Sequence, residues 1–176
     1  MTWLDTGLLL IRLSLGVTLL MHGWNHWLGG GKIPGTAGWF ESLGLRPGLF
    51  QAWASVITEL SAGAGLILGL LTPLACAAVV GTMVVAMVVA HRPNGFFVFK
   101  DGYEYVLMIA VFSVALATMG PGYLSLDHAL DIEITGLPGL LISVLVGLGG
   151  TASLLAATWR PTPATTATDS PPVSTE

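Results

Sequence analysis

The sequence predicts an all-α protein, a multi-pass bundle of transmembrane helices, and three observations predict it. Of 176 residues, 53% are hydrophobic and only 9% charged, whereas a soluble domain carries about a quarter charged residues. Apolar runs of roughly 20 residues, the length that crosses about 30 Å of hydrocarbon, recur along the chain. The third and fifth runs lack the polar face at a period of 3.6 that a helix on the surface of a water-soluble protein needs. The length leaves room for several spans but no large soluble domain, so residues 1–160 are read as one membrane domain followed by a short tail. The net charge of -4, with no basic surface, excludes nucleic acid as a partner.

Five spans are expected. The first, Thr6 to Leu28, is apolar apart from Arg12, His22, Asn25 and His26. No Lys or Arg precedes it, so it is kept as a span and not read as a cleaved signal peptide. The loop from Gly29 to Phe50 contains the amphipathic stretch Thr36 to Leu43, predicted as a short interfacial helix with Trp39 and Phe40 at the headgroup boundary. The second span, Gln51 to Leu71, holds Glu59, and its Ser61, Gly65 and Gly69 are expected to form a small-residue ribbon for close helix approach. Thr72-Pro73 then breaks the chain into a hairpin with the third span, Pro73 to Ala90, where Cys76 reads as a small buried hydrophobe. The fourth covers Tyr103 to Met119, and the fifth, Leu137 to Trp159, has no charge. Pro161 to Glu176, dominated by Pro, Thr, Ser and Ala, is expected to be disordered.

Basic residues give the orientation, because cytoplasmic flanks of membrane helices carry the Lys/Arg excess. Lys32 and Arg46 lie in the first loop, Arg92 and Lys100 in the third, and Arg160 after the last span, while the second and fourth loops have neither. The expectation is an N-terminus outside, a cytoplasmic C-terminus and an acidic outer loop with Asp127, Asp131 and Glu133, in the inner or plasma membrane of a cell.

Ionisable groups inside a membrane are costly, about 2.5 to 3.5 kcal/mol each at the centre of a span, so each needs a partner or a purpose. The candidate intramembrane polar site comprises Arg12, His22, His26, Glu59, His91 and Glu104, expected to form a graded path from the outer side to the cytoplasmic end. At 100° per residue, Arg12, His22 and His26 share about 80° of arc on the first helix, a face read as turned inward. Two readings of Arg12 and Glu59 stay open. They pair to fix helix register, or Glu59 accepts protons beside a quinone or substrate arriving from the lipid. His22 and His26, one turn apart, have a spacing that can hold a metal, but interfacial hydrogen bonding explains them more simply and no metal is expected. His91 near a helix C-terminus and Glu104 at a helix start both suit the helix dipole. No nucleotide loop, CxxC pair or serine-nucleophile motif is present.

These residues resemble the DoxX family of small bacterial membrane proteins over about Leu10 to Asp127. The resemblance is carried by Arg12-Leu13, Leu15-Gly16 and His22-Gly23, by Trp39-Phe40 with Leu43-Gly44-Leu45, and by Glu59-Leu60, Gly63 and Leu68-Gly69-Leu70. Glu104 continues it, and so does the ending Gly120, Pro121, Gly122, Tyr123, Ser125, Leu126, Asp127. Family members commonly have Lys where this chain has His26. The resemblance implies a four-helix membrane core, with the fifth helix added. Some relatives are membrane subunits of quinone-reducing complexes and others look like anchors for oxidative-stress enzymes. The expected function is therefore a membrane subunit or anchor of a redox complex, with a quinone as the candidate cofactor and a soluble redox enzyme or a second copy as the candidate partner. A proton-coupled transporter and a structural scaffold are the alternatives, and enzymatic activity of the chain itself is left open.

Overall fold

The structure, a computed structural model, describes residues 1–161. No strand is present among them. The elements are α1 (Trp3–Leu28), α2 (Lys32–Ser42), α3 (Gly48–Leu68), α4 (Thr72–Asn94), α5 (Glu104–Met119), α6 (Leu126–Ala129) and α7 (Gly136–Thr158). The end of α4 is a π turn, Met87–His91, followed by a 3-10 turn, Arg92–Asn94, and α7 contains a π segment, Ile142–Val146. Apart from Pro161, the tail after Arg160 lies outside the described residues.

Local chemistry sets the helix ends. Thr2 opens α1 with a capping box: its hydroxyl accepts from Asp5 N at 3.3 Å, and the Asp5 carboxylate accepts from Thr2 N at 2.5 Å. Gly69, at φ 62°, closes α3 in the left-handed conformation that glycine takes without steric cost. Leu71 is also left-handed, at φ 49°, where a Cβ is costly. The compensation comes from Asp127, whose carboxylate accepts from Leu71 N at 2.6 Å and Thr72 N at 2.8 Å. Pro73 then sits in the first turn of α4, where its missing N–H has no helical partner to lose.

Helices α1, α3, α4 and α5 close a four-membered ring around a core that includes Leu19, Leu66, Cys76, Val79 and Leu116. The α1–α3 seam is reciprocal. A Cβ on Gly16 would meet Gly63 O at 2.8 Å, and one on Gly63 would meet Gly16 O at 2.8 Å. This corrects the expected ribbon: Ser61 is exposed, Gly65 faces Ala75 of α4, and Gly69 ends the helix. Two residues turn a helix by about 200°, so Gly63 and Ser61 stand on nearly opposite sides of α3.

Outside the ring, α7 packs on α4 and α5. Gly147 lies against Ala77 and Val80, and the Thr151 hydroxyl donates to Gly81 O at 3.0 Å. The far end of α7 is stitched to the α2–α3 connection: Arg46 N donates to Thr158 O at 3.0 Å, Arg160 N to Gly44 O at 2.7 Å, and Trp159 Nε1 to Leu43 O at 3.0 Å. By length and composition α1, α4 and α7 are long and apolar enough to cross a membrane. Helix α5 is apolar but shorter, and Gln51 and Glu59 lower the mean hydropathy of α3.

Candidate functional site

The predicted polar residues fall into three separate groups and do not form one graded path. The first surrounds Arg12, which is buried to 1% exposure where α1 passes the C-terminus of α3. Its Nη2 donates to Leu124 O, while Nε and Nη1 have no partner. Asp127, equally buried, supplies the neighbouring negative charge. Arg12 and Glu59 do not form an ion pair. Gly23 of α1 packs beside Glu59, and Arg12 lies three turns before Gly23, so the two charges are separated by roughly 16 Å along the helix axis.

The second group holds the α4–α5 loop. His91 Nδ1 lies 2.8 Å from Asp101 O, and Glu104 accepts from Val98 N at 3.0 Å. Both side chains are spent on closing an exposed turn. His22 joins neither group: it is exposed on the flank of α1. The buried seam of α1 runs through Leu8, Arg12, Leu15, Gly16, Leu19 and Gly23, and at 100° per residue His22 falls at its edge, about 20° beyond Leu15, where it is left uncovered. Among the described residues no three His, Cys, Asp or Glu side chains converge as a metal site would require.

The third group is the candidate site. A cavity of about 400 Å³ lies between α3, α4 and α7, and α2 covers one end. Gln51, Ser55 and Glu59 line it from α3. They stand four residues apart, so one face of the helix carries all three. Ser55 Oγ donates to Glu59 Oε1 at 2.7 Å, which leaves Glu59 Oε2 with no partner. Gln51 Nε2 is also unpartnered, and both residues are 4% exposed. His26 Nε2 approaches Glu59 Oε1 at 3.8 Å, and its ring stacks on Trp39 of α2 with centroids 5.9 Å apart. Thr36 Oγ1 donates to His26 O at 2.8 Å and ties α2 over the end of α1. Buried polar groups are almost always hydrogen-bonded, so an unshared carboxyl oxygen and an unshared amide facing one cavity fit a polar ligand. Sequence reasoning found His26 and Glu59 but missed Gln51 and Ser55, although their four-residue spacing in an otherwise apolar helix was a readable signal.

The sequence model of the DoxX family matches residues 7–92, from the first turns of α1 through the end of α4. The chain carries a DoxX-family domain over those residues. It is an integral membrane protein in contact with lipid. Three walls of the cavity, with Gln51, Glu59 and His26, come from the matched segment, and α7 supplies the fourth from outside it. Glu104 and the motif Gly120 to Asp127 also lie beyond the match. In that motif Asp127 caps α4, Ser125 Oγ accepts from His128 N at 3.1 Å to start α6, and Tyr123 N donates to the Asp5 carboxylate at 3.0 Å. Gly120 and Gly122 are left-handed, and Pro121 is fully buried between them. No curated protein and no solved structure matches the chain.

Proposed function

We propose that this protein is a DoxX-family membrane subunit of a redox-linked complex and that its cavity receives the head of a lipid-soluble carrier such as a quinone. The reading includes five crossings by α1, α3, α4, α5 and α7, a single domain over residues 1–160, and a plasma-membrane location with the N-terminus outside. The observation that carries it is the unpartnered Glu59 Oε2 and Gln51 Nε2 in one otherwise apolar cavity. Gln51 donates, and a carboxyl accepts when ionised and donates when protonated. Such a pair can hold the oxygens of a ring that exchanges protons as it is reduced and reoxidised, with Glu59 as the local proton carrier. Electrons would come from a separate soluble subunit, since the chain has no CxxC pair or nucleotide loop of its own. The separation of Arg12 from Glu59 argues against a charged path across the bundle and so against a proton-coupled transporter.

Native mass spectrometry of the protein, taken from its own membrane in nanodiscs, tests this reading. A bound quinone together with a soluble redox subunit is the expected result. A solitary protein carrying neither would overturn the proposal. Glu59→Gln keeps the shape and the Ser55 bond, so it should fold normally and retain about a tenth or less of the quinone affinity, a loss of about 1.4 kcal/mol.

A further inference from the structure

The cavity has a shape that its polar residues alone do not explain. Along α4 it is lined from Leu74 to Ala90, roughly 24 Å of helix at 1.5 Å per residue. It is therefore a slot along the bundle. Gln51, Ser55, Glu59 and His26 lie towards the α2 end, whereas the opposite end is bounded by apolar residues such as Leu74, Ala77 and Ala78. The side of the slot is open for a topological reason: α3 and α7 both pack on α4 but scarcely touch each other. Thr58 on the α3 side and Val146 and Gly150 on the α7 side border that window, and Val146 and Gly150 are exposed on the surface that faces lipid. The α2 end is covered by Trp39 and Phe40 and by the stitch of Leu45 to Trp159, so the long opening faces the bilayer.

The polar end also has a measure. Helical side chains lean towards the helix N-terminus, and the bond to Ser55 holds the Glu59 carboxyl beside that residue. Gln51 leans the same way by the same amount, so the two groups stand about two turns, roughly 11 to 12 Å, apart along α3, which leaves room between them for a six-membered ring with a hydrogen bond to an oxygen at each end. We propose that the slot loads sideways from the bilayer between α3 and α7 and takes a tailed molecule with two separated oxygens on its head, clamped between Gln51 and Glu59 with the tail lying along α4 towards Leu74. This rests on the cavity reading above and adds the route, the tail and a specificity role for Gln51.

Two glycines allow a clean test. A Cβ on Gly150 or on Gly149 would meet nothing within 4 Å, but only Gly150 lines the slot. Gly150→Phe should fold and plug the window, and Gly149→Phe is its matched control. The full chain in nanodiscs is titrated with decylubiquinone and, separately, with monoolein, and occupancy is read by native mass spectrometry. Protection of Cys76 from a maleimide confirms that each variant is folded. The expected result is one decylubiquinone per chain, at least tenfold weaker binding to Gly150→Phe and Gln51→Leu, and unchanged binding to Gly149→Phe. If Gly150→Phe binds like the parent while Glu59→Gln loses the ligand, the side-loading slot is wrong and the head site stands. Saturable monoolein binding without decylubiquinone would keep the slot but overturn the ring-shaped head. No binding of either probe to the parent overturns both readings.

Discussion

Arg12 shows how a buried charge is used when it is not part of the chemistry. Its guanidinium is one hydrogen bond short of free: Nη2 reaches Leu124 O, and Asp127 stands near to balance the charge. Asp127 in turn spends both carboxylate oxygens on Leu71 N and Thr72 N. Asp127→Ala therefore removes two charge-assisted hydrogen bonds and leaves two buried donors at a turn already held in a left-handed conformation. A cost of about 3 kcal/mol or more is expected. For a chain of this size that lowers the thermal midpoint by roughly 10 °C. Cys76, the only cysteine and fully buried, makes the measurement direct, because a thiol-reactive dye reports its exposure on heating. Glu59→Gln should leave that midpoint nearly unchanged, since Gln retains an oxygen for Ser55. From the sequence, Arg12 was legible as a buried charge needing a partner. The partner was not, because Asp127 lies far along the chain, beyond α5, and no periodicity connects the two.

The helices themselves were largely legible. Apolar runs of the right length reported α1, α3, α4, α5 and α7 to within a few residues, because a lipid-facing segment must satisfy its own backbone and so must be helical. The amphipathic stretch around Trp39 likewise marked α2. Packing was less legible: which glycine faces which helix depends on a rotation that a residue spacing does not fix, and so the four-residue spacing of Ser61, Gly65 and Gly69 does not mark the seam that Gly63 forms. The structure makes the α1–α3 seam the close approach, and the consequence is testable. Gly63→Leu places its Cβ against Gly16 O and Leu20, and overpacking of this kind costs about 1–3 kcal/mol. It should lower the Cys76 midpoint by several degrees. Gly35→Leu, whose Cβ meets nothing within 4 Å on the exposed side of α2, should leave it unchanged. The π segments in α4 and α7 had no sequence signal, since a single inserted residue per turn leaves hydropathy untouched. Both border the slot, through Val89 and Ala90 on α4 and Val146 on α7, which agrees with the tendency of π turns to collect at functional sites.

At the scale of the whole molecule, the fold gathers the basic residues at one end. Of the six Lys and Arg residues only Arg12 is inside the bundle; Lys32, Arg46, Arg92, Lys100 and Arg160 all lie at the end that carries α2. Asp127, Asp131 and Glu133 lie at the other, in the segment between α5 and α7. The proposed orientation rests on this polarity, because positive flanks are retained on the cytoplasmic side of membrane helices. On the proposed orientation the polar end of the slot, which belongs to the positive end, lies in the cytoplasmic half of the bilayer, the side on which the proposed redox subunit would dock. A single-cysteine map decides it. In a Cys76→Ala background, Phe99→Cys places a thiol on the α4–α5 loop, where Phe99 is 77% exposed, and Ile132→Cys places one in the acidic segment. In intact cells a membrane-impermeant maleimide should label the cysteine at 132 and not that at 99, and after permeabilisation both should react. Labelling of both sites in intact, sealed cells would mean an even number of crossings between them. The reverse pattern would put the head of the slot on the outer side and require any electron donor to be there as well.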